Sequence, residues 1–284
     1  VKRETPFLLG GSYLDRRPMT FGRNQAHWWS IDTSGFDEVC VSMAETLLDH
    51  SETNRISRVR RVKDRVEAIM SRALLRLVLS QYGHTTPRKW RFEQDAFGRP
   101  FVAYPPSVFV PSFNVSHSRG YIHCLVTRSG AVGVDVEFID PSFDYSAVMH
   151  RVCSASEIAH LQSLRPEQRL NFFYALWVVK EAYIKALGGG LSLPVDQIEV
   201  LNPFCERIDL RLGGSMQGRP EQWDIRLQRF GDQLVAAAAL QRSPDAEDIQ
   251  LMHFSVTCDD MRHGLVEASA QRSGSVRISV CEAL

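Results

Sequence analysis

Two clusters of charged residues stand in apolar surroundings where charge is costly. The first is Lys180, Glu181 and Lys185, set into the stretch Asn171–Leu193, NFFYALWVVKEAYIKALGGGLSL. A charge removed from water costs several kcal/mol unless it is paired or binds something charged. These residues are therefore candidates for chemistry, the bland alternative being an interior helix with one Glu–Lys pair at i, i+4. The second is Asp135 and Glu137 in VGVDVEF. On a strand, residues two apart project from the same face. Two carboxylates side by side repel each other, so either both face solvent from an edge strand or a hard cation lies between them. Mg²⁺ takes such oxygen ligands, together with water and substrate phosphate. His117, within Ser116-His117-Ser118, leaves open an interior hydrogen-bonded ring or a ligand contact.

The elements that must carry these groups are legible from periodicity. Phe173, Leu176, Trp177, Ile184 and Leu187 recur at helical spacing, and the opposite side is hardly more polar, which predicts a helix buried nearly all round. Pro166 suits its first turn, and Gly188, Gly189 and Gly190 suit its end. A second helix is expected over Asp64–Tyr82, stopped by Gly83. Arg55, Arg58, Arg60, Arg61, Lys63, Arg65, Arg72 and Arg76 lie in or just before it, either as a solvated face or as a site for a phosphate-rich anion. Asp95–Pro100 reads as a turn carrying Arg99. Tyr121–Thr127 and Ala131–Phe138 read as strands joined by a short hairpin turn at Ser129-Gly130.

Ahead of these, Phe7–Leu9, Ala26–Ile31 and Val39–Val41 read as short strands, with Trp28 and Trp29 in the core, followed by a helix over Ala44–Asp49. Helical pieces over Val148–Leu164 precede the central helix. Asp196–Val200, Arg207–Leu212, Trp223–Arg229 and Leu234–Leu240 read as strands after it, the last two a hairpin around Gly231-Asp232; Ile249–Val256 and Val276–Val280 add two more. Each half thus offers a long helix followed by a hairpin, the pattern of a distant internal duplication. The expected division is residues 1–140, carrying the acidic strand, and 141–284, carrying the charged helix, with an extension after about residue 240.

Composition excludes several function classes. Across 284 residues, 33 basic side chains balance 33 acidic ones, so no global charge calls for nucleic acid or a membrane surface. No apolar run approaches the roughly 18 residues of a membrane span, and the start, VKRETPFLLGG, lacks the apolar length of a secretory signal. A cytoplasmic location is expected. Cys40, Cys124, Cys153, Cys205, Cys258 and Cys281 show neither zinc-site spacing nor a disulfide framework.

Four blocks in order, GRP at Gly98–Pro100, FNVSHS at Phe113–Ser118, VGVDVE at Val132–Glu137 and FFYALWVVKEAYIKALGGGLSLP at Phe172–Pro194, resemble the larger, surfactin-synthetase-activating 4′-phosphopantetheinyl transferases over about Arg55–Leu240. The resemblance implies an α+β fold of two similar lobes related by pseudo-twofold symmetry, with the active site in the cleft between them. It implies transfer of the phosphopantetheine arm of coenzyme A to a serine of an acyl, peptidyl or aryl carrier protein, with Mg²⁺ or Mn²⁺, releasing 3′,5′-ADP. It assigns Asp135, Glu137 and Glu181 to the metal, and Glu181 also to the serine proton, directly or through water. Lys185 and Lys180 go to the phosphates, His117 to a coenzyme A phosphate, Ser116 near the 3′-phosphate, Arg99 to the adenosine end and Arg55 to the 3′-phosphate. One departure stands out: Glu67 occupies the place, three after Asp64, where the family often has Arg. A monomer would suffice for activity. The competing readings are a Mg²⁺-dependent hydrolase of a coenzyme A or nucleotide pyrophosphate, and a non-catalytic carrier-binding or nucleotide-binding module.

Overall fold

The computed structural model describes residues 19–22, 24–83, 85–106, 108–214, 216, 218–242, 248–262 and 270–271. The first half of the chain runs β1 (Gln25–Asp32), α1 (Glu38–Glu45), α2 (His50–Ile56), α3 (Val62–Tyr82), β2 (Arg91–Gln94), β3 (Pro100–Tyr104), β4 (Ser112–Ser118), β5 (Tyr121–Thr127) and β6 (Val132–Phe138). The second runs α4 (Met149–Val152), α5 (Ala155–Ser163), α6 (Pro166–Leu187), β7 (Ile198–Leu201), β8 (Asp209–Leu212), β9 (Trp223–Phe230), β10 (Leu234–Gln241), β11 (Gln250–Val256), α7 (Cys258–Arg262) and β12 (Ala270–Gln271).

The helices end where their chemistry says they should. In α6, Pro166 opens the first turn, and Gly188 closes the last in the left-handed region, φ 75°, donating its N–H to Ile184 O. Two expectations near the start are corrected. Val39–Val41 lies inside α1 because Asp37 caps that helix, accepting from the Cys40 amide at 2.8 Å. No helix runs over Ala44–Asp49, because Asp49 is itself the cap of α2. The expected strands Phe7–Leu9 and Val276–Val280 lie outside the described residues.

Two sheets carry the fold. One has the order β12-β11-β1-β5-β4, the other β6-β10-β9. The β9–β10 hairpin forms as expected, but β5 and β6 do not pair. The first-half hairpin is β4–β5, turning at Arg119-Gly120, and β6 hydrogen-bonds to β10 instead. The Ser129-Gly130 turn is present, with Gly130 at φ 89°, but it hands the chain from one sheet to the other: Ala131 O accepts from Gln241 N. β11 returns to the first half's sheet, parallel to β1.

Side-chain alternation sorts the residues into layers. Trp29, Ile31, Cys124 and Val126 pack on α3. Ala26, Trp28 and Leu125, from the other face of that sheet, pack against Val132, Val134, Val136 and the even residues Leu234–Leu240. Val235, Ala237 and Ala239 face α6. The order is helix, sheet, sheet, helix, an α+β arrangement with one long helix on the outside of each sheet. Along one seam the sheets meet edge to edge through side chains of β4: Asn114 Oδ1 accepts from Val134 N at 2.9 Å and Ser118 Oγ from Phe138 N at 3.2 Å. Among the described residues, no helix is long and apolar enough to cross a membrane.

The duplication suspected in the sequence reappears as a matched pair of buried ion pairs. Arg76, fifteenth residue of α3, is fully buried and binds Glu52, which closes the capping box of α2. Lys180, fifteenth residue of α6, is fully buried and binds Glu157, which closes the capping box of α5, at 2.5 Å. Each cation is completed by backbone carbonyls: Pro87 and Trp90 for Arg76, Val152 for Lys180. Removing one member of such a pair strands a buried charge, at a cost of about 3–5 kcal/mol, whereas removing both is far milder. Lys180→Met is therefore expected to lower the urea midpoint markedly, and Lys180→Met with Glu157→Gln to recover much of the loss. Equal stability of Lys180→Met and the parent would refute the pairing.

The core of the first sheet is also acid-sensitive. His123 Nδ1 accepts from the Trp28 indole at 2.8 Å, which holds the ring neutral, and burial lowers its pKa from 6.5 to about 3. Burial lowers His27, bonded to Tyr82, from 6.5 to about 4. The unfolded chain binds these protons first, so stability is full above pH 6.5 and falls as pH drops toward 4. The slope is about 1.4 kcal/mol per pH unit for each fully titrating ring. Chemical denaturation at pH 7 and pH 5 should show the decline; a flat profile would contradict it.

Candidate active site

Gly133, Asp135 and Glu137 share the face of β6 that looks toward α6, opposite the small partners Ala239, Ala237 and Val235 on β10. At Gly133 the two backbones nearly touch: an added Cβ would stand 1.9 Å from Ala182 O and 2.5 Å from Ala186 N. The glycine lets the helix lie directly on the strand, with Glu181 and Lys185, one helical turn apart and so on one face, bordering the same groove as the acids.

Lys185 Nζ meets Asp135 Oδ1 at 2.5 Å, and Ser116 Oγ lies 2.9 Å from both atoms. Asp135 is buried, and its second oxygen, Oδ2, has no hydrogen-bond partner among the described residues. Glu137 Oε2 accepts from Ser118 Oγ at 2.9 Å. Burial first, then the Asp135 charge, pushes the Glu137 carboxyl up to about 7. The same two causes raise Glu181, with Lys185 opposing. Two acids that resist ionising, Glu137 and Glu181, beside Asp135 with its orphaned buried oxygen form a donor set short of positive charge. That chemistry fits a divalent cation with oxygen ligands. As placed, no group of three His, Cys, Asp or Glu side chains among the described residues already closes into a metal cage; Lys185 occupies Asp135.

The other expected site residues divide. Ser116 is buried and spends its hydroxyl on Asp135 and Lys185. His117, its neighbour on β4, is half exposed, and its Nδ1 meets Glu67 of α3. Arg99 sits at the end of the β2–β3 turn, where an added Cβ at Gly188 would stand 3.4 Å from its Nη1, so it reaches the carbonyl end of α6. Arg55 is exposed on α2 and donates to Gln94 Oε1 at 3.1 Å. Lys180 does not join the cleft. Its ammonium is committed to Glu157 inside the second half, because five residues along a helix separate it from Lys185 by well over a quarter turn. Two contributors were not singled out from the sequence: Ser118, whose i, i+2 spacing to Ser116 signals a shared face, and Gly133.

The close approach gives a direct test. Gly133→Ala is expected to push β6 off α6, lowering the melting temperature and abolishing the Lys185–Asp135 contact. A variant that melted with the parent would show that the strand and helix have room to spare.

Comparison with known proteins places the chain. Residues 37–128 match the family model described as 4′-phosphopantetheinyl transferase, N-terminal, and residues 131–239 match that of the 4′-phosphopantetheinyl transferase superfamily. The 4′-phosphopantetheinyl transferase HetI of Nostoc sp. is 28% identical over 194 residues, 68% of this chain and 81% of the relative. A putative 4′-phosphopantetheinyl transferase of Synechocystis sp., slr0495, is 31% identical over 162 residues, 57% of this chain and 65% of the relative. Among solved structures, the Chronobacterium ammoniagenes ACPS-CoA complex matches at 25% identity over 39% of this chain and 96% of that one, with a TM-score of 0.33. With consecutive matches to two models of the same enzymes, one on each half, the chain belongs to the 4′-phosphopantetheinyl transferase superfamily.

Proposed function

We propose that this chain transfers the 4′-phosphopantetheine arm of coenzyme A to a serine of an apo carrier protein and releases 3′,5′-ADP. The observation that carries the reading is the convergence of Asp135 and Glu137 from β6 with Lys185 from α6, around a buried carboxylate oxygen that no group among the described residues satisfies. In the reaction the serine Oγ attacks the phosphorus that bears the pantetheine arm. The bond from that phosphorus to the bridging pyrophosphate oxygen breaks, and 3′,5′-ADP leaves with the electron pair.

Asp135 and Glu137 would hold Mg²⁺ from the strand side and Glu181 from the helix side. Such an ion offsets charge on the pyrophosphate under attack. Glu181 would also take the serine proton, directly or through a water. Lys185, which lies against Asp135 and Ser116, would stabilise the negative charge of the departing phosphate. Arg99 approaches the adenosine end of the coenzyme, His117 binds one of its phosphates and Arg55 its 3′-phosphate, while Lys180 holds α6 in place from within. Exposed Phe97, Phe101 and Tyr104 on the β2–β3 hairpin and Leu187 at the end of α6 offer the apolar surface that a folded carrier needs, and Phe97 rests against Gly190. A pyrophosphate hydrolase would need no such surface, and no observation favours it.

Incubation with an apo carrier protein, coenzyme A and Mg²⁺ should add the mass of one phosphopantetheine arm to the carrier. Glu181→Gln should lower the rate by roughly a hundredfold or more, and Asp135→Ala should raise the Mg²⁺ concentration needed for half-maximal rate. No mass gain on carriers of fatty-acid and secondary-metabolite type alike would refute the transfer.

A further inference from the structure

Glu67, the residue that departs from the family pattern, is built into the turn beside the site. One carboxylate oxygen meets His117 Nδ1, and the other accepts from the Gly120 amide at 2.5 Å. Burial alone would raise this carboxyl. The His117 hydrogen bond, the Gly120 amide and the charge on His117 outweigh burial and hold it below the usual carboxylate range. The turn it grips is itself fixed. Arg119 and Gly120 both have positive φ, 49° and 90°; Gly120 O accepts from Thr33 N at 3.0 Å, and a Cβ at Gly120 would stand 2.6 Å from Thr33 Oγ1.

Alternation along β4 gives His117 its direction. Ser116 and Ser118 turn toward Asp135 and Glu137, so His117, between them, points to the other face, toward α3. There α3 begins with Lys63 and Arg65, following the exposed Arg58, Arg60 and Arg61. With Nδ1 taken by Glu67, Nε2 is the ring atom left to meet a ligand, and the ring is about half exposed.

We propose that Glu67 is a positioning residue for coenzyme A: by holding His117 Nδ1 and the Gly120 amide at once, it presents His117 Nε2 to a phosphate of the coenzyme on the basic side of β4. This rests on the transferase reading above. Both of the carboxylate's oxygens are spent on donors, His117 Nδ1 and the Gly120 amide. Its partnership with the imidazole follows the same logic as the outer groups that orient metal-bound histidines.

The test is steady-state transfer with coenzyme A and an apo carrier protein for the parent, Glu67→Gln, His117→Ala and the double variant. Glutamine keeps the volume but has only one acceptor oxygen for two donors. Glu67→Gln is expected to raise the KM for coenzyme A roughly tenfold, about the worth of one charge-assisted hydrogen bond, with kcat little changed. His117→Ala should do the same, and the double variant should be no worse than His117→Ala. Calorimetric binding of coenzyme A should weaken in parallel. An unchanged KM in Glu67→Gln would overturn the proposal, as would losses in Glu67→Gln and His117→Ala that simply multiply. A parent protein that transfers nothing would instead refute the reaction itself.

Discussion

The structure depends on one close approach, the backbone of β6 against the backbone of α6 at Gly133. Any Cβ there would collide with Ala182 O, so the glycine sets the spacing between the strand that carries Asp135 and Glu137 and the helix that carries Glu181 and Lys185. The small residues across from Asp135 and Gly133 on β10, Ala237 and Ala239, serve the same end, leaving room for the helix over the sheet. Charges brought this close in a half-buried groove respond as a unit. Asp135 pairs with Lys185, Glu137 and Glu181 resist ionisation, and one Asp135 oxygen has no partner among the described residues.

The frame behind that contact is built twice. A long helix on the outside of each sheet carries, at the same point along its length, a fully buried cation paired with the capping glutamate of a short preceding helix. Carbonyls complete each cation, so the interior tolerates the charge and the helix is fixed in rotation and depth. The two halves then differ one residue further on. Leu77 follows Arg76 and is core, whereas Glu181 follows Lys180 and borders the cleft. Within this duplicated frame, the polar groove lies where the second half's helix meets β6.

Much of this was legible in residue order. Pro166 and Gly188 bracket α6, Gly83 ends α3, and the alternation in VGVDVEF puts both acids on one face. The errors came where a local signal was sound but its long-range consequence was not local. Gly130 does turn the chain, yet the strand after it has its hydrogen-bonding edge satisfied by β10, about a hundred residues away, rather than by its neighbour β5. Val39–Val41 has β-branched character, but the Asp37 cap ahead of it decides for helix.

Sequence by itself determined the reactive inventory: which acids, lysines, histidine and arginines exist, which pairs share a face by period, and which enzymes the four ordered blocks resemble. It also determined that Lys180 and Lys185 leave the helix in different directions, since five residues do not complete a whole number of turns. Only the tertiary structure decided which of those directions is the cleft. It buried Lys180 on Glu157, turned Lys185 onto Asp135 and Ser116, and set Glu67 beneath His117. Each of those partnerships joins residues distant in the chain, and such pairings are fixed by how sheets and helices pack rather than by any period along the sequence.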